Sequence, residues 1–523
     1  MRHVGYKMLA TKFGRLNPDR FTASFNERAV FYFLAFLAVV VRLRNLDSPI
    51  TGSYTFRTTQ TAWGIRSVAN GALSPFSVET PVLGAPWKIP FEFPLYQMIA
   101  GFLSRFSGLS VEASGRLVSL MFFVLSGFVL YRICRLFFSA GVSLLVYAIF
   151  LFNSHNLEYG SSVLIEYCAV FFSLTGFYFA LRYCQAFLRK HLILFFIFGS
   201  IAALVKITTA LIWIVFGACF ALFIHRAKLR NVITLLSVAV ATLVPAILWT
   251  QWADDQKSKT IYTEWLTSEK LRSWNFGTLG QRFNYSDWHR TINNEFFPSV
   301  LGSSLITFSL IIISLSFARN RKAAVTFISI LLLGPLVFTN LYFVHDYYWT
   351  AVLPALLFSI APAIELITDW SRKLSTSASS RSSQTILSIL CGIALIVASW
   401  FSFYGTRHFD VFTKSGSIAY NGDEYLVAVK EIQSLTEKDD KVIVIGSDWD
   451  PRILYFSDRK GLMIVDKWDP ITIIPNSDFG TEYKYVYMYP AAAYDLTSVL
   501  NLFRGVPITQ VGIGLYEISD VSS

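Results

Sequence analysis

Apolar runs of helix-spanning length recur along the chain from Ala29 to Tyr404, at roughly 29–43, 116–131, 136–152, 163–181, 192–205, 209–224, 232–250, 300–317, 323–341, 349–368 and 385–405. The stretch from His191 to Ile224 is too long for one helix, and Lys206 divides it into two. This pattern predicts a polytopic α-helical membrane protein with about eleven transmembrane helices. An odd number of spans puts the two termini on opposite sides. Two long hydrophilic loops, 44–115 and 251–299, then share one face with the segment that follows the last span. From about Arg407 the pattern changes. "DEYLVAVKEIQSL" and "DLTSVLNLF" have helical periodicity, whereas "KVIVIG", "GLMIVD", "YKYVYMY" and "ITQVGIGLYEI" read as strands, predicting a small α/β domain. The expected organisation is a tail (1–28), a membrane domain (29–405) and a soluble domain (406–523).

Composition agrees: 54% of residues are hydrophobic and 15% charged, with a mean hydropathy of +0.49. The net charge of +11 does not indicate nucleic acid, because the basic residues cluster in the tail and short connections: Arg132 and Arg135; Arg182, Arg189 and Lys190; Arg226, Lys228 and Arg230; Arg319, Arg321 and Lys322; Arg372, Lys373 and Arg381. That is the positive-inside signature of a cytoplasmic face in contact with membrane lipids. It places the N-terminus in the cytoplasm, as a retained tail with no small-residue cleavage site, and the C-terminal domain outside the plasma membrane, in a bacterium the inner membrane. Cys134, Cys168, Cys184, Cys219 and Cys391 lie in or beside apolar spans and form no CxxC, so neither a disulfide framework nor a zinc site is expected. "STSASSRSSQ" reads as a cytoplasmic linker.

Several polar residues converge on the outer boundary. The first loop carries "TFRTTQTAWGIRSVA", an expected interfacial helix with Arg57, Gln60 and Arg66 near helical spacing. "WKIPFEFPLYQ" follows, where Pro90 and Pro94 bracket Glu92 in a rigid turn. Further along come His155, Glu158 and Glu166, the last inside an apolar span, where a carboxylate is expensive without a partner or a wet cavity. Lys206 stands alone in "AALVKITTALIW", either snorkelling to the interface or presented to an anionic headgroup. "HDYY" sets His345, Asp346, Tyr347 and Tyr348 at the outer end of a span, as an aromatic belt or as part of a site. Carboxylates, cations and rings at one interface suit a membrane-anchored phosphate donor and an acceptor hydroxyl that must lose its proton. In the tail, "GSDWDPR" follows the first strand; it reads as an Asp-capped turn or as a ligand site at the strand end.

The order and spacing of "RTTQTAWGIRSVANG", "EFPLYQ", "GRLVSLMFF", the Glu166 span, "LVKITTAL" and "HDYY....LP" resemble the integral membrane glycosyltransferases of GT-C fold, in particular the bacterial relatives of protein O-mannosyltransferases and of the lipid A aminoarabinose transferase. The resemblance covers roughly residues 28 to 410. It implies transfer of a sugar from a polyprenyl-phosphate donor to a lipid, glycan or protein acceptor on the outer face. It also implies an acidic pair at the start of the first-loop helix, its Asp acting as base; here that stretch reads Arg57, Thr58, Thr59, Gln60. Glu92 stands where the aminoarabinose transferases have a phosphate-binding lysine, with Lys88 close enough to take over that role. Glu166 matches the second acidic position, and Lys206 the lysine near the carrier phosphate.

The expected reaction is a single in-line, inverting displacement. Glu92, Glu166 and Asp47 are the candidate catalytic acids, Arg57, Arg66, Lys88 and Lys206 the phosphate ligands, and Gln60, His345, Asp346 and Tyr347 the sugar or acceptor contacts. No cofactor is indicated; a divalent metal is compatible with the sequence but not required by it. Two alternatives are a flippase for a lipid-linked sugar, against which the absence of duplicated halves weighs, and a non-catalytic relative that binds the carrier lipid.

Overall fold

The computed structural model describes residues 25–44, 46–50, 54–225, 228–318, 320–375, 423–466 and 468–519. The tail before residue 25, the linker after 375, the expected span 385–405 and Cys391 lie outside them. The chain opens with α1 (Phe25–Leu43), followed in the first loop by α2 (Thr55–Ala69) and α3 (Leu95–Ser107). A helical series follows: α4 (Val111–Phe137), α5 (Ala140–Phe152), α6 (Ser154–Tyr159), α7 (Glu166–Ala186) and α8 (Arg189–Val205). Beyond Lys206 come α9 (Ile207–Ala210), a π-helical turn over Leu211–Phe216 and α10 (Gly217–His225). The membrane part continues with α11 (Leu229–Ala241), α12 (Val244–Lys257), α13 (Ser304–Ser316), α14 (Arg321–Val337) and α15 (Leu353–Ser375).

Among the described residues, Val111–Phe137, Leu229–Lys257 and Leu353–Trp370 are each long and apolar enough to cross a membrane. Tyr285–Leu301 and Ser304–Ser316 form a further pair bent by 84°. Ala140–Phe152 and Ile207–Phe223 are apolar but shorter. Large apolar side chains remain exposed at near-helical spacing, as at Tyr32, Phe33 and Phe36 on α1 and at Leu229, Ile233 and Val240 on α11. In water such faces would aggregate, whereas hydrocarbon solvates them without cost.

The first loop departs from expectation. α2 does not lie open on a surface: Thr59, Gln60, Ala62, Trp63, Ile65 and Val68 are all buried, and α2 packs on α3 and α4. α3, which lies within the segment expected to be the loop 44–115, is a separate helix ended by Gly108 in the left-handed conformation. At Gly101 a Cβ would come within 2.5 Å of Val68, so a glycine is what lets α3 and α2 touch.

The C-terminal residues form α16 (Asp423–Leu435), α17 (Arg452–Ser457) and a five-stranded sheet of β1 (Val442–Ile445), β2 (Gly461–Met463), β3 (Tyr485–Met488), β4 (Ile508–Gln510) and β5 (Leu515–Ile518). The strand order is β2-β1-β3-β5-β4; β1 runs parallel to β2 and β3, and β5 antiparallel to β3 and β4. "ITQVGIGLYEI" is therefore two strands and a turn. The first loop continues the sheet at the β2 edge: Gly461 N–H donates to Pro81 O (3.1 Å) and Met463 N–H to Val82 O (2.8 Å). An open edge is thereby covered by the loop that also carries Glu92.

Candidate active site

Glu166 and Lys206, 40 positions apart, form a buried ion pair. Glu166 opens α7, where the free N–H groups of the first turn favour a carboxylate. Lys206 is the extended residue that separates α8 from α9, with φ −161° and ψ 97°. Its ammonium donates to both oxygens of Glu166, at 2.6 and 2.7 Å, and the Glu166 and Lys206 side chains are 2% and 5% exposed. Lys206 thus does not snorkel outward. Its Nζ sits 3.7 Å from the ring centroid of Tyr348 and 5.3 Å from that of Tyr347, over faces that attract a cation.

A second pair adjoins the first. Arg57 Nη2 lies 2.5 Å from Oε1 of Glu92, and Arg57 also donates to Gln60 Oε1. Burial lowers the Arg57 pKa, but Glu92 foremost, with Tyr347, Tyr348 and Glu166, outweighs burial and leaves it raised. The four charged groups share one electrostatic field: Glu92 and Arg57 both act on Glu166 and on Lys206.

The turn bearing Glu92 is held on both sides. Trp249 Nε1 on α12 donates to Phe91 O (3.0 Å), and Phe93 N–H donates to Leu204 O (3.1 Å), two residues before Lys206. Glu92 is consequently anchored against the end of α8. The ion pair occupies its Oε1; among the described residues Oε2 makes no hydrogen bond. Glu92, Lys88 and Arg57 all line one small solvent-open pocket.

The "HDYY" segment completes the cluster. Tyr347 stacks on His345 and Tyr348, with centroids 5.2 and 5.0 Å apart. Tyr159 donates to Asp346 Oδ1 (2.5 Å), and the Asp346 N–H donates to Tyr54 (3.1 Å). Asp346 thereby fastens the segment to α6 and to the approach to α2. Burial, then Arg57 and Lys206, push the His345 pKa down to about 4, so its ring is neutral at neutral pH. His155, buried on α6, is bonded to Thr350.

Not every expected residue joins this cluster. Arg66 is taken up by the C-terminal layer: it pairs with Asp458 (3.0 Å), donates to Tyr455 O (2.9 Å) and stacks on the Tyr455 ring at 3.9 Å. Asp47 is exposed, in a turn whose carbonyls at Leu46, Ser48 and Pro49 all accept from Arg116. Sequence reading missed Trp249 and also Trp449, whose ring packs on Phe56 and Phe91 with centroids 4.7 and 6.2 Å away. Those phenylalanines are the neighbours of Arg57 and Glu92. "GSDWDPR" therefore reaches the site, and the "DWD" itself was the one available signal. Among the described residues no group of three or more His, Cys, Asp or Glu side chains is placed to hold a metal ion.

No protein-family model matches the sequence, and no curated protein matches it by sequence. Solved structures do. ArnT from Cupriavidus metallidurans bound to undecaprenyl phosphate superposes with a TM-score of 0.60 over 94% of this chain and 98% of that one, at 12% identity. This chain has the GT-C fold. Two other structures of that fold also match. AglB from Archaeoglobus fulgidus, in complex with an inhibitory peptide and a dolichol-phosphate, gives 0.50 over 95% of this chain and 74% of its own, at 12% identity. AftD, an arabinofuranosyltransferase from Mycobacteria, gives 0.57 over 95% and 40%, at 11% identity. At such identities the likeness is one of architecture, and the chemistry rests on the side chains of this particular GT-C chain.

Proposed function

We propose that this protein is a membrane glycosyltransferase that moves a sugar from a polyprenyl-phosphate donor to an acceptor on the extracytoplasmic face, with about eleven spans, a cytoplasmic N-terminus and the C-terminal α/β layer outside. The observation that carries the reading is the pairing of two cations, Arg57 and Lys206, with two carboxylates, Glu92 and Glu166, beside a solvent-open pocket. The similarity to a GT-C structure holding undecaprenyl phosphate supports this donor class.

The four charges balance when no donor is bound. A phosphate brought to Lys206 and Arg57 competes with the carboxylates for the same N–H groups. Glu166 is gripped through both oxygens inside the protein, whereas Glu92 is held through one oxygen at the pocket wall. Phosphate binding therefore releases Glu92 first. The freed carboxylate takes the proton of the acceptor hydroxyl while that oxygen attacks the anomeric carbon. The bond from that carbon to the phosphate oxygen breaks, its electron pair stays on the phosphate, and Lys206, Arg57 and Lys88 stabilise the departing charge. Attack from the face opposite the leaving group inverts the anomeric centre. In this scheme Glu166 is a positioning residue for Lys206, and Glu92 is the base.

Transfer from a polyprenyl-phosphate sugar by the purified protein in detergent tests the reading. Product formation is expected. A folded protein that neither transfers nor hydrolyses any such donor would overturn it.

A further inference from the structure

The second long loop, 251–299, reads as hydrophilic in sequence, yet over 274–285 its apolar side chains stand outward. Trp274 is 47% exposed, Phe276 41%, Leu279 72%, Phe283 83% and Tyr285 77%. Leu279 and Phe283 open and close one short helix, Leu279–Phe283, and at i and i+4 they share a face. Thr278 and Gln281 form a capping box at its start, which fixes the turn. Its polar residues are held by the protein instead. Gln281 donates to Asn340 Oδ1 (2.8 Å), and Arg282 donates to the carbonyls of Leu336 (3.1 Å), Val337 (3.3 Å) and Phe276 (2.7 Å). A guanidinium on the last carbonyls of α14 suits the negative end of that helix. The loop is thus amphipathic inside out, with polar groups on the protein and apolar ones on its surroundings.

Single exposed apolar residues are ordinary on any protein, but a run of them marks a partner. The place of attachment selects lipid. Arg282 seats the loop at the end of α14 away from Arg321 and Lys322. Leu336, whose carbonyl it holds, belongs with Val325 and Leu332 to the exposed apolar residues of α14. On the other side the helical stretch Tyr285–Leu301 turns through 84° into α13, where Leu305, Phe308 and Ile312 are exposed. With α13 along the membrane normal, Tyr285–Leu301 lies in the membrane plane. A soluble partner accounts for the exposed run but not for its continuity with both of these hydrocarbon-suited helices. We propose that the segment 274–285 is a membrane-interface anchor, in which Leu279 and Phe283 enter the upper acyl chains and Trp274 and Tyr285 sit at headgroup level. The leaflet concerned is the one at the Val337 end of α14. Trp274 stands 6.3 Å from the His345 ring, and Asn340 donates to its carbonyl (2.9 Å). The bilayer thereby braces the aromatic segment beside Lys206, whichever reaction the site performs.

Spin labels measure the depth directly, on the full-length protein in nanodiscs of phosphatidylethanolamine and phosphatidylglycerol. Leu279→Cys and Phe283→Cys are made separately in a Cys219→Ser background, and that background, labelled alone, subtracts the remaining cysteines. Both side chains are exposed, and their removal leaves the contacts of Gln281 and Arg282 in place. Phe36→Cys on α1, 62% exposed, gives the lipid reference, and Lys438→Cys on the C-terminal layer, 79% exposed, the water reference. Oxygen concentrates in hydrocarbon, whereas a neutral nickel chelate stays in water. Oxygen is expected to relax both loop labels more than the chelate does, at a depth of roughly 5–10 Å below the phosphates. Relaxation led by the chelate, as at Lys438→Cys, overturns the proposal and makes the loop a solvent-facing one. Low access to both reagents overturns it as well, because a protein surface then covers the segment.

Discussion

Arg57 and Glu92 meet at 2.5 Å across 35 positions of sequence, one from a buried helix and the other from a proline-bracketed turn. The turn is pinned by the indole of Trp249 on one side and the Leu204 carbonyl on the other. A carboxylate held this way points to one place, as the proposed base role requires.

Glu92→Gln keeps the shape of the turn and removes the proposed base. Transfer is expected to fall by about 10²–10⁴-fold while the melting temperature changes little. Rate measurements at saturating donor and acceptor check this, and full activity would remove Glu92 from the mechanism.

Glu166→Gln acts differently, because it leaves Lys206 buried without its partner. A loss of stability of about 3–5 kcal/mol is expected, together with lost activity. The double variant Glu166→Gln with Lys206→Met recovers much of the stability and none of the activity. Thermal melts of the three variants in one detergent decide the point.

His345 ties stability to pH. Its pKa is depressed from 6.5 to about 4, first by burial and then by Arg57 and Lys206, so the unfolded chain binds the extra proton more readily. The neutral ring's contribution is fully present above pH 6.5 and is lost as pH falls through 6.5 towards 4. A melting temperature that drops over this window is expected, with a shallower drop in His345→Gln.

Trp449 and Arg66 couple the C-terminal layer to the site. Trp449→Ala removes the ring that braces Phe56 and Phe91 and is expected to lower kcat by about tenfold or more through loosened positioning. Arg66→Ala breaks the contacts to Asp458 and Tyr455. Hydrogen exchange should then rise in α17 and at the Val82–Met463 backbone pair.

Much of the fold was legible in the sequence because its signals are local. Helical periodicity marked α2 and α16, apolar runs marked α4 and α11, a β-branched run marked β1 and a tyrosine-rich run marked β3. α3 was missed because it is short and lies within a segment that reads as a loop as a whole. The burial of α2 was missed because its own composition is mixed, and what covers it comes from α3, α4 and α17.

By itself, the sequence determined that this chain is rich in apolar helices of the membrane type, with a few charged residues set among its expected spans. The physical reason is that a charge beside hydrocarbon and an apolar run in water are each costly wherever the rest of the chain lies. Only the tertiary structure decided which charges meet. It gave Lys206 to Glu166, Arg57 to Glu92 and Arg66 to Asp458, the last pair 392 positions apart. An ion pair depends on distances of a few ångströms between segments whose sequences do not encode each other's position, so no local pattern could have assigned those partners.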